Sequence, residues 1–263
     1  MKTSMKTKCD KWQVTGDALA ATRGKTPRHP APGTRHALAF TLIELLVVIS
    51  IMGVLAGFTI PVLAKIKEAQ YKKVARAELE RLQTALEGYK AQYGTYPPGN
   101  QNPNNTYASQ GMDRSQFSQL YYELSGVSHN VAATTFTTLD GSSTITEANY
   151  FTAYHVGGVV NSSKGGGEDS ANAKNFLSGL KANQIYDQVT NSGVRTVEII
   201  TSVGGPDAAY KPLLASGLNP FRYVFPGVNN PNSYDLWVQL VVKGRTNLIC
   251  NWNKQVQINS PLP

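Results

Sequence analysis

The sequence predicts an α+β fold in which one long N-terminal helix packs against a C-terminal antiparallel β-sheet. Three observations predict it. Residues 45–64 are 20 consecutive positions without a charge, most of them apolar. Residues 65–96 carry an apolar stripe at helical spacing, and residues 194–252 turn to β-branched and aromatic runs.

Composition narrows the function classes. The 263 residues carry 25 Lys plus Arg against 17 Asp plus Glu, a formal charge of +8. The excess sits at the front, where residues 1–39 hold eight basic residues (Lys2, Lys6, Lys8, Lys11, Arg23, Lys25, Arg28, Arg35) and two acidic ones (Asp10, Asp17). The rest of the chain is close to neutral, so no nucleic-acid partner is expected. Cys9 and Cys250 stand at opposite ends, which excludes a disulfide framework and a cysteine zinc site. His29 and His36 lie in the basic segment, leaving His129 and His155 as the histidines available for chemistry. No nucleophile motif or carboxylate pair accompanies them, so the chain is not expected to be an enzyme. The glycines of residues 155–170 lack the Gly-Lys-Ser/Thr that closes a phosphate cradle.

Residues 40–64 read FTLIELLVVISIMGVLAGFTIPVLA. About 20 apolar residues cross a bilayer core as a helix, whereas a cleaved secretory signal has a core of about 7–15. A transmembrane helix is therefore expected. Glu44 lies about one turn into it, where an ionisable group is costly and marks function. Pro61 should kink or loosen the helix. Gly53 and Gly57 allow close helix packing.

The helix is expected to continue. Ala75, Leu79, Leu82, Leu86, Tyr89, Tyr93 and Tyr96 follow one another in steps of four and three, a single helical stripe. Glu68 and Lys72 form an i,i+4 pair on an outer face. Gly94 and Pro97-Pro98-Gly99 stop the helix. The stripe is short for a coiled coil and is expected under the protein's own sheet.

Beyond it, residues 113–124 (DRSQFSQLYYEL) read as a short helix with Phe117, Leu120, Tyr121 and Leu124 on one face. Residues 155–170 read as a flexible loop, and residues 171–190 as a weak helix around Phe176, Leu180 and Ile185. Strands are expected at 194–203, 221–225, 234–242 and 246–252, the last two joined as a hairpin at Lys243-Gly244-Arg245. Cys250, in an apolar run, reads as a buried inert thiol.

The boundary Ala39-Phe40-Thr41-Leu42-Ile43-Glu44-Leu45 resembles the processing site of type IV prepilins and type II secretion pseudopilins. The resemblance implies a cut by prepilin peptidase between Ala39 and Phe40 and methylation of the new amino terminus at Phe40. Alanine stands at 39 where the family usually has glycine. Glu44 becomes the fifth residue of the mature chain, where the family places its acid. Gly53 and Pro61 fall at the fourteenth and twenty-second mature positions, where a glycine and a proline are common. In a filament, a neighbouring subunit's Phe40 amine would neutralise Glu44, an assembly role rather than a catalytic one. The implied division is a cleaved basic leader (1–39), a transmembrane and assembly helix (40–64), its amphipathic continuation (65–96) and a periplasmic, pilin-like α+β domain (97–263). The resemblance also sets the orientation. Lys and Arg flank both ends of the apolar run (Arg23, Lys25, Arg28, Arg35 before; Lys65, Lys67, Lys72, Lys73, Arg76, Arg81 after), so the positive-inside rule does not.

Residues 230–237 (NPNSYDLW), 249–252 (ICNW) and Tyr96-Pro97-Pro98 are similar to the major pseudopilin of type II secretion. The implied function is a structural filament subunit of the bacterial inner membrane, single-pass, with its C-terminal domain periplasmic. It would assemble into a periplasmic filament with copies of itself and other pseudopilins on an inner-membrane platform, with membrane lipid around it beforehand. A type IV or minor pilin for adhesion, motility or DNA uptake is the alternative, and a membrane-anchored enzyme a more distant one. No cofactor is expected from the residues. The family often staples its C-terminal loop with calcium, which takes six to eight oxygens. Asp235 is the sole acid after Asp207 and the weak candidate for a metal ligand; a turn cap, or an ion pair with Arg245, is its expected role.

Overall fold

A computed structural model describes residues 41–102, 114–164, 172–189, 193, 195–203 and 209–259, with residues 58–64 described through their backbone alone. The leader, Ala39 and Phe40, the glycine run 165–167 and Val194 lie outside the described residues. The fold is α+β, with an N-terminal helix and C-terminal antiparallel sheets. It comprises two compact units, residues 1–52 and 53–263.

One helix, α1 (Leu42–Tyr93), contributes to both units. In the first unit every described side chain is exposed. Among the described residues no helix is long and apolar enough to cross a membrane. The expected span over residues 45–64 extends into residues 58–64, which continue α1 in the backbone and whose side chains lie outside the described residues.

In the second unit, α1 buries Ala75, Leu79, Leu82, Leu86 and Tyr89, with Tyr96 just past its end. These are the stripe positions, and they join the main core with Leu236, Val238, Leu240 and Ile249 of the C-terminal strands. The helix ends at Gly94, whose φ of 78° lets its N–H turn back to the Lys90 carbonyl at 2.8 Å.

After α1 the chain makes a 3₁₀ turn (Arg114–Gln116) and α2 (Leu120–Ser125), two pieces rather than one helix over 113–124. The backbone between them is diverted to distant partners. Ser118 N–H donates to Glu198 at 3.3 Å, and the Gln119 side-chain amide donates to the Pro98 and Gly99 carbonyls. Then come β1 (Val127–Asn130), β2 (Thr135–Thr138), β3 (Thr144–Thr146), α3 (Glu147–Tyr154) and β4 (Ser162–Lys164). They form a sheet of order β3-β2-β1-β4 in which β1 and β4 run parallel. The expected loop at 155–170 thus contains a strand. The expected helix at 171–190 is instead a 3₁₀ turn (Ala182–Gln184) and β5 (Ile185–Val189), which pairs with β6 (Arg195–Ile199) as a separate ribbon.

The last sheet has the order β10-β9-β8-β7, from β7 (Arg222–Val224), β8 (Asp235–Val242), β9 (Arg245–Cys250) and β10 (Gln257–Ile258). Lys243 (φ 52°) and Gly244 (φ 70°) form the tight turn between β8 and β9, the doubly left-handed type that matches strand twist. Side chains alternate along β8. Leu236, Val238 and Leu240 enter the main core, while Trp237 packs with Leu248 and Cys250 in a second cluster. The main core is rich in tyrosine: Tyr89, Tyr121, Tyr122, Tyr150, Tyr154 and Tyr223 are all buried. Their rings meet tilted or edge-on, as for Tyr150 and Tyr154 at 5.0 Å.

Candidate functional site

The start of α1 is built by Thr41 and Glu44. The Glu44 carboxylate accepts the Thr41 N–H and the Thr41 hydroxyl, both at 2.8 Å, while the Glu44 N–H donates to Thr41 Oγ1 at 3.3 Å. This is a reciprocal capping box, in which Thr-x-x-Glu spacing satisfies donors that a helix start leaves open. Glu44 therefore has partners within its own chain, a local role that its assignment to assembly does not provide. The signal was present in the sequence as Thr41-Leu42-Ile43-Glu44.

Apolar side chains around the following turns are exposed on every face, from Leu42 at 81% and Ile43 at 69% to Met52 at 63% and Leu55 at 61%. A helix that is apolar all round belongs in an apolar environment, either lipid or other helices. Ser50, its one hydroxyl between Leu42 and Gly57, donates to the Leu46 carbonyl at 2.7 Å and so leaves no open donor. A Cβ at Gly53 or Gly57 would meet nothing within 4 Å. Pro61 falls within the α1 backbone, and its side chain is outside the described residues.

His129 and His155 occupy different settings. His129 Nε2 pairs with Glu147 Oε1, and both line a cavity of about 340 Å³ with Phe136, Gly157, Gly158 and Ser162. Ser162 makes no hydrogen bond to His129 among the described residues. His155 caps α3 in the left-handed region (φ 52°) and stacks on Phe151, with ring centroids 5.1 Å apart. Cys250 is fully buried, and burial raises its pKa.

Asp235 lies at the start of β8, fully buried. Its Oδ2 accepts the N–H groups of Val228 (2.8 Å) and Asn229 (2.7 Å) and the Asn229 side-chain amide (3.0 Å). Its Oδ1 accepts the Asn230 N–H and the Asn230 side-chain amide, both at 3.0 Å. The carboxylate caps the 227–230 turn, and its oxygens face donors. Gly227 makes this approach possible, since a Cβ there would lie 2.7 Å from Asp235 Oδ1 and 2.9 Å from both the Asn230 carbonyl oxygen and Asp235 N.

Other polar side chains tie loops to the helix. Arg76 donates to the carbonyls of Cys250 (2.7 Å), Asn253 (3.1 Å) and Lys254 (3.0 Å). Glu78 accepts from Gln184, Thr201 and Ser202. Glu123 accepts the Tyr89 hydroxyl and the N–H groups of Val160 and Asn161, each at 3.0 Å. Burial raises the Glu123 pKa, and those three bonds oppose the rise.

A family model described as the prokaryotic N-terminal methylation motif matches residues 34–60. That span holds Ala39, Phe40, Glu44 and Gly53, and Pro61 falls one residue past it. The type II secretion system core protein G of Vibrio cholerae serotype O1 is 37% identical over 67 residues, 26% of this chain and 46% of that protein. The core protein G of Escherichia coli K12 is 44% identical over 62 residues (24% and 43%), and that of Dickeya chrysanthemi 40% over 63 residues (24% and 41%). The matched segment is thus less than half the length of each of these relatives. No solved structure matches the chain. The chain carries the N-terminal methylation motif of the prepilin and pseudopilin family, and in its N-terminal region it is similar to the core protein G of type II secretion systems.

Proposed function

We propose that this chain is a structural pseudopilin of a type II secretion system, a filament subunit and not an enzyme. Prepilin peptidase removes residues 1–39 by cutting between Ala39 and Phe40, and Phe40 becomes the methylated amino terminus. The subunit is anchored in the inner membrane by its apolar helix, with the distal domain in the periplasm. It polymerises with copies of itself and other pseudopilins on an inner-membrane platform. Glu44 sets the register through a neighbour's Phe40 amine, and Gly53 and Pro61 adjust the packing of neighbouring helices.

The observation that carries this reading is the coincidence of two features on one segment. The methylation motif spans residues 34–60, and the helix within it exposes apolar side chains on all faces with Glu44 as its one acid. Such a surface is stable only when lipid or other helices cover it. The similarity of the N-terminal region to core protein G relatives supports secretion over the other filament systems.

Intact-mass and N-terminal analysis of membrane-extracted protein, with and without co-expressed prepilin peptidase, tests the proposal. The expected product begins at N-methylated Phe40. A chain that retains residues 1–39 in the presence of active peptidase refutes it.

A further inference from the structure

We propose that the C-terminal loop of this protein is stapled by the Asp235 carboxylate alone and takes no calcium ion, so that the distal domain folds independently of divalent cations. The related proteins that the C-terminal sequence resembles suggest calcium at such a loop, and the oxygens present here do not fit one. Calcium requires six to eight oxygen ligands with lone pairs directed at the ion. Around the 227–235 turn the carboxylate and several neighbouring oxygens already accept N–H donors. Both Asp235 oxygens accept five between them. The Tyr234 carbonyl accepts the side-chain amides of Asn230 (3.1 Å) and Asn251 (2.8 Å). Asn251 Oδ1 accepts the Leu236 N–H at 3.0 Å. The Ser233 carbonyl accepts the Gly227 N–H, and the Asn230 carbonyl accepts the Ser233 N–H, each at 2.9 Å.

The charge arrangement is inverted relative to a cation site. A bound cation is a positive centre ringed by oxygens. Here a negative centre is ringed by N–H groups, three from the backbone and two from the side chains of Asn229 and Asn230. Amide donors gathered around a concavity favour an anion, and Asp235 is that anion, supplied by the chain. A calcium ion arriving at Asp235 would meet five N–H dipoles with their positive ends toward it. No group of three or more His, Cys, Asp or Glu residues suited to a metal ion occurs elsewhere among the described residues. Asparagine at 229 and 230 completes the device, because aspartate there would supply acceptors where the carboxylate needs donors.

The test uses the full chain in detergent, with calcium chloride as the probe. Thermal unfolding of wild type should shift by less than about 2 °C between 5 mM EDTA and 5 mM calcium chloride. Asp235→Asn places an NH₂ among N–H donors in either amide orientation. It should lower Tm by roughly 10 °C, reasoning from the few degrees per kcal/mol typical of domains this size, and calcium should not restore it. Isothermal titration of wild type with calcium should give no heat of binding below millimolar concentration. A calcium-dependent rise in wild-type Tm, or a saturable binding isotherm, overturns the proposal. So does an Asp235→Asn chain that melts within about 2 °C of wild type. Should that variant not fold, the wild-type measurements decide alone. The inference stands apart from the secretion reading, because none of these readouts depends on processing or assembly.

Discussion

Removing the Arg76 guanidinium should loosen the C-terminal end of β9 from α1. Its fork reaches three carbonyls, those of Cys250, Asn253 and Lys254, at 2.7 to 3.1 Å. A hydrogen bond to a charged group contributes about 1.5–3 kcal/mol when well buried. Arg76 is only half-buried, and the freed carbonyls can turn to water, so we take about 1 kcal/mol per bond and about 3 kcal/mol for the fork. In a domain this size that corresponds to a fall in Tm of roughly 6–12 °C. Arg76→Lys tests geometry separately from charge. A single ammonium cannot span three carbonyls, so it should recover no more than about a third of the loss. The assay is thermal unfolding of the full chain in detergent followed by far-UV circular dichroism, with amide hydrogen exchange over residues 250–258 as a local readout. If Arg76→Ala melts within about 2 °C of wild type, or Arg76→Lys restores it fully, the reasoning is wrong.

Other outcomes follow from the same structure. Glu198 is fully buried with the Ser118 N–H as a partner, and burial holds its pKa well above the ordinary carboxylate range. The unfolded chain therefore ionises first as pH rises, so the stability owed to Glu198 is full below the unfolded value and is lost on the way up to the folded one. Urea melts should show the advantage of Glu198→Gln over wild type widening from pH 4.5 to pH 8; a constant gap would count against this. Gly227→Ala should destabilise by about 1–3 kcal/mol, because its Cβ would press on Asp235 and on backbone atoms; equal melting temperatures would show that the turn can give way. Thr41→Val removes the hydroxyl that links to Glu44, and amide exchange at residues 42–45 should quicken severalfold; unchanged exchange would mean that Thr41 does not cap α1.

The parts of the fold legible in the sequence are those with strong local signals. The 4-3 spacing from Ala75 to Tyr96 identified the buried face of α1, and Lys243-Gly244 identified the β8–β9 hairpin. The first sheet was illegible because its strands are short and polar. Val127, Phe136 and Ile145 are the only buried apolar side chains in β1, β2 and β3 respectively, too few to set a period. Phe176, Leu180 and Ile185 suggested a helix where the chain makes a turn and a strand, since three apolar residues at uneven steps fit either state. At the candidate site, the motif around Phe40 and Glu44 was legible, and so was a turn cap as one of two roles for Asp235, whereas the set of donors around its carboxylate was not. Those donors are mainly backbone groups of a turn, which residue identity does not display.

The tyrosine-rich core gives this protein an optical property of its own. Burial raises the pKa values of Tyr89, Tyr122, Tyr150, Tyr154, Tyr223 and Tyr234 above the usual phenolic value. While the core is closed, burial keeps these phenols protonated to higher pH than exposed ones. In an alkaline titration, the ultraviolet band of phenolate from exposed tyrosines should appear gradually, and the contribution of the core should arrive in one cooperative step. That step marks the opening of the packed domain, so absorbance alone can follow its unfolding without an added label, even in the detergent that an apolar helix requires.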